Sequence, residues 1–198
     1  LHFVGCTGIK VSGLTFVHVP DTDSYNRDDG GANTDTAAAA SLYQAHVSVN
    51  PTYPAESLMI FSNNRFGGYD VTTSPMRWGN ALGIASADQV VVEDNEFNGF
   101  YLGATFASVN RSVARRNTFQ NQTTDGLRAM RTVSTDLAGY TISRVEFTDN
   151  VIWNLSESAD FAGAHADAIQ IGTGSDDVSY DILVKKNTIY LPTAPNVY

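Results

Sequence analysis

The chain has 198 residues, 42% of them hydrophobic and 17% charged, which is the balance of a folded domain with a real core and excludes a disordered segment. Twelve basic against 21 acidic residues leave a net charge of −9; this disfavours a nucleic-acid partner, but not a polyanionic sugar met by a local basic cluster or a bridging cation. No run approaches the roughly 18 apolar residues of a membrane span, and Cys6, alone in the chain, cannot close an internal disulfide.

The start, Leu1-His2-Phe3-Val4-Gly5, has neither an initiator Met nor a signal peptide. Phe3, Val4, Ile9 and Val11 already alternate like a strand, so the expectation is a segment of a longer chain without its N-terminal cap. Residues Ile9 to Phe16 are the first strand unit. An insertion follows at about 20–56: an Asp-, Gly- and Asn-rich loop from Pro20 to Asp35, a short helix over Ala37 to Tyr43, and a return to strand at His46 to Val49. Four further strand units run Leu58 to Phe66, Val90 to Phe97, Ser112 to Phe119 and Val145 to Ile152, and a last one Ile182 to Ile189. After the middle units comes a second strand, at Asn80 to Ile84, Phe100 to Ala104, Asp125 to Ala129 and Asp167 to Ile171. The tail from Leu191 to Tyr198 carries Pro192 and Pro195 and no capping helix, so an uncovered end is expected there too.

The strand units are copies of one another. Each places an Asn near its end, at 64, 95, 117, 150 and 187, in steps of 31, 22, 33 and 37 residues, and Leu14 stands at the same place in the first copy. Apolar residues alternate with polar ones in each, which is the period of a strand. Repeats of this length mean solenoids, propellers or arrays. Unequal steps argue against a propeller or a leucine-rich repeat and suit a coil whose strands stack while its turns vary. The predicted fold is therefore all-β: a right-handed parallel β-helix of about five to six rungs, one domain over 1–198 with the insertion at about 20–56. Stacked at the strand spacing of about 4.8 Å, the Asn amides would bond rung to rung, each bond contributing about 1 kcal/mol. The plainer alternative is that each Asn only marks a turn.

The joint between the two strands of a copy ranges from a few residues to some fifteen, so loops protrude at that corner and a site is expected there. Along His165-Ala166-Asp167-Ala168-Ile169-Gln170, alternation puts His165 and Asp167 on one side. Asp167 would lie one rung from Asp125, and two such carboxylates would split their pKa values into an acid and a base. His165 adds a group titrating near neutrality. Arg128 shares a face with Gln170, and the forked guanidinium groups of Arg128 and Arg131 suit a carboxylate. Against this stands a structural role, with Asp125 and Asp167 capping turns and Arg128 neutralising them. Asn80, Tyr101, Arg131 and Gln170 are candidate substrate-binding residues at the same corner. Tyr69, Trp78, Phe100, Tyr101 and Trp153 are either stacking platforms for sugar rings or core. Arg115-Arg116 and Lys185-Lys186 read as solvated charges on another face. Asp176, Asp177 and Asp181 have the oxygen ligands of a Ca²⁺ turn without matching an EF-hand spacing. Asn110, Asn121 and Asn154 stand in Asn-x-Ser/Thr sequons.

The Asn-bearing repeats, the variable turns and the strand Asp167-Ala168-Ile169-Gln170 resemble the pectin-lyase-like right-handed parallel β-helix superfamily over nearly the whole chain, Leu1 to Leu191. The superfamily holds polysaccharide lyases, glycoside hydrolases, alginate epimerases and phage tailspikes, so the resemblance implies carbohydrate handling without choosing the reaction. The polygalacturonase pattern is not reproduced: Asn33-Thr34-Asp35 falls in the insertion, and neither Gly-His-Gly nor Arg-Ile-Lys occurs. Nor does the Asp-Pro-His of alginate epimerases. The expectation is a secreted or cell-surface enzyme cleaving an acidic polysaccharide by β-elimination, with His165, Asp167, Asp125 and Arg128 catalytic and Ca²⁺ an optional cofactor. Hydrolysis by Asp125 and Asp167 and a non-catalytic sugar-binding solenoid are the alternatives. No nucleic-acid or membrane partner is expected, and homo-oligomerisation is left open.

Overall fold

The computed structural model describes residues 7–17, 44–46, 58–67, 80–85, 87–100, 102–122, 124–130, 142–155, 166–172 and 179–190. These residues form three parallel sheets. The first stacks β1 (Ile9–Ser12), β4 (Met59–Ser62), β7 (Val90–Glu93), β10 (Asn110–Arg115), β13 (Ile142–Thr148) and β16 (Ser179–Lys185). The second stacks β2 (Thr15–Val17), β5 (Arg65–Gly67), β8 (Glu96–Asn98), β11 (Thr118–Gln120), β14 (Val151–Trp153) and β17 (Thr188–Tyr190). The third stacks β3 (Gln44–His46), β6 (Asn80–Ala85), β9 (Leu102–Ala107), β12 (Leu127–Met130) and β15 (Ile169–Gly172). The chain visits the sheets in rotation, so each strand pairs in parallel with the strand three elements away. The architecture is all-β with parallel sheets and, among the described residues, no helix, which is consistent with a parallel β-solenoid.

Each repeat read as one strand is two strands joined by a sharp corner. The residue before the ladder position is left-handed every time, with φ of 70° at Gly13, 55° at Asn63, 56° at Asp94, 55° at Arg116, 55° at Asp149 and 54° at Lys186. One such residue swings the chain from the first sheet to the second. Asn and Asp tolerate this backbone because their short polar side chains bond locally, whereas Arg116 and Lys186 adopt it at a cost of about 1–2 kcal/mol each.

The next residue is the ladder Asn, and its amide bonds run the length of the stack. Asn64 Nδ2 donates to Asn95 Oδ1 (3.0 Å), Asn95 to Asn117 (3.0 Å), Asn117 to Asn150 (3.0 Å) and Asn150 to Asn187 (2.9 Å). The same oxygens accept the backbone N–H of the preceding Asn, and each Nδ2 also reaches a carbonyl of the first sheet, as Asn95 does to Phe61 O (2.9 Å). Leu14 occupies the first place without an amide, and its N–H donates to Asn64 Oδ1 (3.1 Å). The ladder expected from the sequence is present.

Inside the coil the second sheet contributes Phe16, Phe66, Phe97 and Phe119, stacked with centroids 4.8, 4.7 and 4.7 Å apart. Each is the middle residue of a three-residue strand, so its neighbours on either side point outward. Phe106 and Phe147 meet across the core at 5.5 Å. Phe100 is fully buried, so it is core and not a sugar platform.

Two expectations shift in register. Within the insertion, β3 runs Gln44–His46 and pairs with β6, so the strand begins earlier than the His46 expected, and that stretch supplies the first strand of the third sheet. The helix proposed for Ala37 to Tyr43 and the loop before it lie outside the described residues. In the third sheet Asn80 pairs with Leu102, not with Phe100, and Asp125 and Asp167 fall in that same column.

Candidate functional site

The corner entering the third sheet is built from backbone crowding. A Cβ at Gly103 would lie 2.3 Å from Gly126 O and 2.5 Å from Phe119 Cδ1, and one at Gly126 would lie 2.9 Å from Ala168 O. Only glycine lets the successive turns stack this closely. The chain is then pinned by Gly103 N–H to Asp125 O (3.0 Å), Gly126 N–H to Asp167 O (3.1 Å) and Leu127 N–H to Ala168 O (3.1 Å).

Beyond this corner the third sheet alternates. Ala104, Phe106, Leu127 and Ala129 face the core, so Thr105, Arg128 and Gln170, which are paired in register, form a column on the outer face. This face is partly closed: all six residues of β9 are buried, and Thr105 is only 6% exposed although it points outward. Thr105 Oγ1 and Arg128 Nε are both buried and, among the described residues, have no hydrogen-bond partner. A buried polar group left in this way costs about 1–3 kcal/mol, and native proteins hold few of them.

Among the described residues the charge close to Arg128 is Asp125, whose Oδ2 lies 3.7 Å from Nε. Asp125 is 2% exposed and spends Oδ1 on the backbone N–H of Asp167 (3.2 Å). Its carboxylate thus ties one turn to the next, and although Asp125 is buried its other oxygen stays beside the outward Arg128. Asp167 itself is half-buried. The geometry joins Arg128, Gln170, Asp125 and Asp167 at one corner and adds Thr105, which sequence reasoning missed. The signal for Thr105 was its place in the column of Arg128, obscured by the two-residue misalignment of β9. His165, Arg131 and Tyr101 lie outside the described residues, as do the side chain of Asn80 and residues Tyr69, Trp78, Asp176 and Asp177. Among the described residues no three His, Cys, Asp or Glu side chains converge as metal ligands.

At the corner leaving the first sheet, Arg115 and Arg116 are not merely solvated. Arg116 grips Asp94 through two bonds of 2.8 Å and reaches Glu93 at 2.9 Å, while Arg115 bonds Glu93 at 2.9 Å. Arg115 holds the Glu93 carboxyl below its ordinary range, Arg116 adding to the effect, and Arg116 does the same to Asp94. Asp94, with Glu93, raises the Arg116 guanidinium in return. A second amide run, which the repeat pattern does not reveal, joins Asn121 Nδ2 to Asn98 Oδ1 (2.7 Å) and Asn154 to Asn121; two of its members, Asn121 and Asn154, stand in sequons.

No protein-family model matches the chain, and no curated protein or solved structure matches it significantly.

Proposed function

We propose that the chain is a right-handed parallel β-helix of about five to six rungs that binds a uronate-containing polysaccharide and cleaves it by β-elimination. The observation that carries this reading is the outward column of Thr105, Arg128 and Gln170, in which Arg128 Nε and Thr105 Oγ1 are buried and, among the described residues, have no hydrogen-bond partner, Arg128 having only the more distant Asp125 carboxylate. A uronate carboxylate over that column would accept from the Arg128 guanidinium, whose side chain keeps 30% of its surface exposed. A guanidinium in a partly closed site acts on a substrate charge more strongly than one in water, because less solvent screens it.

The reaction has three parts. Arg128 neutralises the C6 carboxylate, which acidifies the C5 proton and stabilises the charge that develops when it leaves. His165, two residues before Asp167, is assigned as the base that takes this proton. The freed electron pair forms the C4–C5 double bond, the C4–O bond breaks, and the departing oxygen takes a proton from an acid. Asp125 fixes the turn that bears Asp167. Such substrates lie outside cells, so the activity goes with a secreted or cell-surface protein. Hydrolysis by Asp125 and Asp167 draws no support, since Asp125 is buried and holds a backbone N–H.

The test is an assay against polygalacturonate, alginate and glucuronan, with and without Ca²⁺, following both unsaturated-uronate absorbance and new reducing ends. Both should rise together. Arg128→Ala should lower kcat about 10²–10³-fold and His165→Ala about 10²–10⁴-fold, with folding unchanged by circular dichroism. Reducing ends without unsaturation would mean hydrolysis, and silence on both would leave a binding solenoid.

A further inference from the structure

A depression of about 650 Å³ opens on the outside of the corner between the first and second sheets, lined by Arg65, Glu96, Arg116, Thr118, Gln120 and Trp153 among others. It is shallow and open to solvent, the shape of a surface on which one face of a ligand is laid and not of a cavity that encloses it. It lies on a different sheet from the Arg128 column.

One wall is aromatic. In β14 the middle residue Ile152 is buried and its neighbours point outward, leaving Trp153 39% exposed. Tyr190 pairs with Trp153 in register on the adjoining strand and is 66% exposed. A half-exposed indole beside polar groups presents a flat apolar face to a ligand, and large aromatics supply much binding area for little lost rotamer freedom.

The remaining wall consists of polar groups already held in place. Arg65 Nε donates to Glu96 Oε2 (3.0 Å), Gln120 Nε2 donates to Glu96 Oε1 (2.9 Å), and Arg116 holds Asp94 through two bonds. Two guanidinium groups thus face two carboxylates, and the lining carries no net charge. An added carboxylate would have to displace Asp94 or Glu96 or lie against them. A neutral ligand meets no such penalty, and the wall offers it both fixed donors and fixed acceptors. A pyranose ring has this chemistry: a face of C–H groups to lay on the indole, and a rim of hydroxyls that both donate and accept.

We propose that this depression is a second carbohydrate site, distinct from the Arg128 column, that takes a neutral pyranose unit stacked on Trp153, with Tyr190 as the platform for the next unit of the chain. It would anchor a neutral stretch or side branch of a polysaccharide while the third sheet handles the acidic part.

The test titrates the protein with cellohexaose, xylohexaose, mannohexaose and hexagalacturonate, by calorimetry and by intrinsic fluorescence. At least one neutral hexasaccharide should bind. Trp153→Ala should weaken that binding tenfold or more, Trp153→Tyr should restore most of it, and Arg128→Ala should leave it unchanged. Circular dichroism checks that the variants fold, which exposure of Trp153 favours. The proposal is overturned if no neutral probe binds, if Trp153→Ala binds within twofold of the wild type, or if hexagalacturonate is the ligand that depends on Trp153. Loss of neutral binding in Arg128→Ala would also overturn it, by merging the two sites, whereas failure of the cleavage assay alone would not touch it.

Discussion

Replacing Asn117 by Ala removes one link from the middle of the amide ladder, and the structure sets the size of the effect. Asn117 is 1% exposed. Its Oδ1 is the acceptor for the Asn95 backbone N–H (3.0 Å) and for Asn95 Nδ2 (3.0 Å), and its Nδ2 donates to Val92 O (2.9 Å) and Asn150 Oδ1 (3.0 Å). After truncation Asn95 Nδ2 keeps Phe61 O, and Asn150 Oδ1 keeps the Asn117 N–H. The Asn95 N–H keeps nothing. An orphaned buried donor costs roughly 1–3 kcal/mol and the lost bond to Val92 about 0.5–1.5 more, so the variant should lose about 3 kcal/mol. In a domain of this length that lowers Tm by roughly 6–12 °C. Calorimetry and urea titration would measure it, with Asn187→Ala as the comparison. Asn187 is only half-buried, so water can replace its bonds, and a loss of about 1 kcal/mol is expected there. If Asn117→Ala costs under about 1 kcal/mol, or no more than Asn187→Ala, the ladder is decoration and the coil is held by its strands and core alone.

Two further outcomes follow from the same geometry. The carboxyls of Glu93 and Asp94 titrate lower in the folded chain than in the unfolded one, so the unfolded state binds more protons on acidification. Their contribution is therefore present above the ordinary carboxylate range near pH 4 and is lost as pH falls through the depressed folded values. Exposed pairs contribute about 0.2–1 kcal/mol each, so Arg116→Gln should lose less Tm than the wild type between pH 6 and pH 3, and parallel curves would refute the pairing. Gly103→Ala forces a methyl group to within 2.3 Å of Gly126 O and should cost about 3 kcal/mol or more. Gly67→Ala, whose nearest atom would be 3.8 Å away, should stay within about 1 kcal/mol in the same urea titration.

The features legible in the sequence are those that recur once per turn with the same chemistry. Asn64, Asn95, Asn117, Asn150 and Asn187 declared the ladder, and the alternation around Phe66, Phe97 and Phe119 declared the core side of the strands. What stayed hidden depends on pairing across turns. Nothing local to Phe100 shows that it precedes the third-sheet strand, because β9 opens with Leu102 where the neighbouring turns have Asn80 and Asp125. Arg116 and Asp94 are 22 residues apart, and only the stacking makes them partners. Arg128 and Gln170 can be aligned from the sequence because each stands three residues after an Asp, Asp125 and Asp167. The burial of Asp125 does not follow from alternation, since the corner at Gly126 interrupts the regular two-residue period.

The ladder steps of 31, 22, 33 and 37 residues end in one unchanging hydrogen-bond geometry, 2.9 to 3.0 Å at every link. The length of chain that leaves the coil between two amides is therefore invisible to the coil itself. Loop closure grows only slowly with length, so segments can be lengthened, shortened or exchanged at these exits with little effect on the stacked turns. Selection acting on such a protein can rewrite what it touches in one place while the frame beneath is inherited unaltered, and a designer could use the same exits as ports for grafted loops.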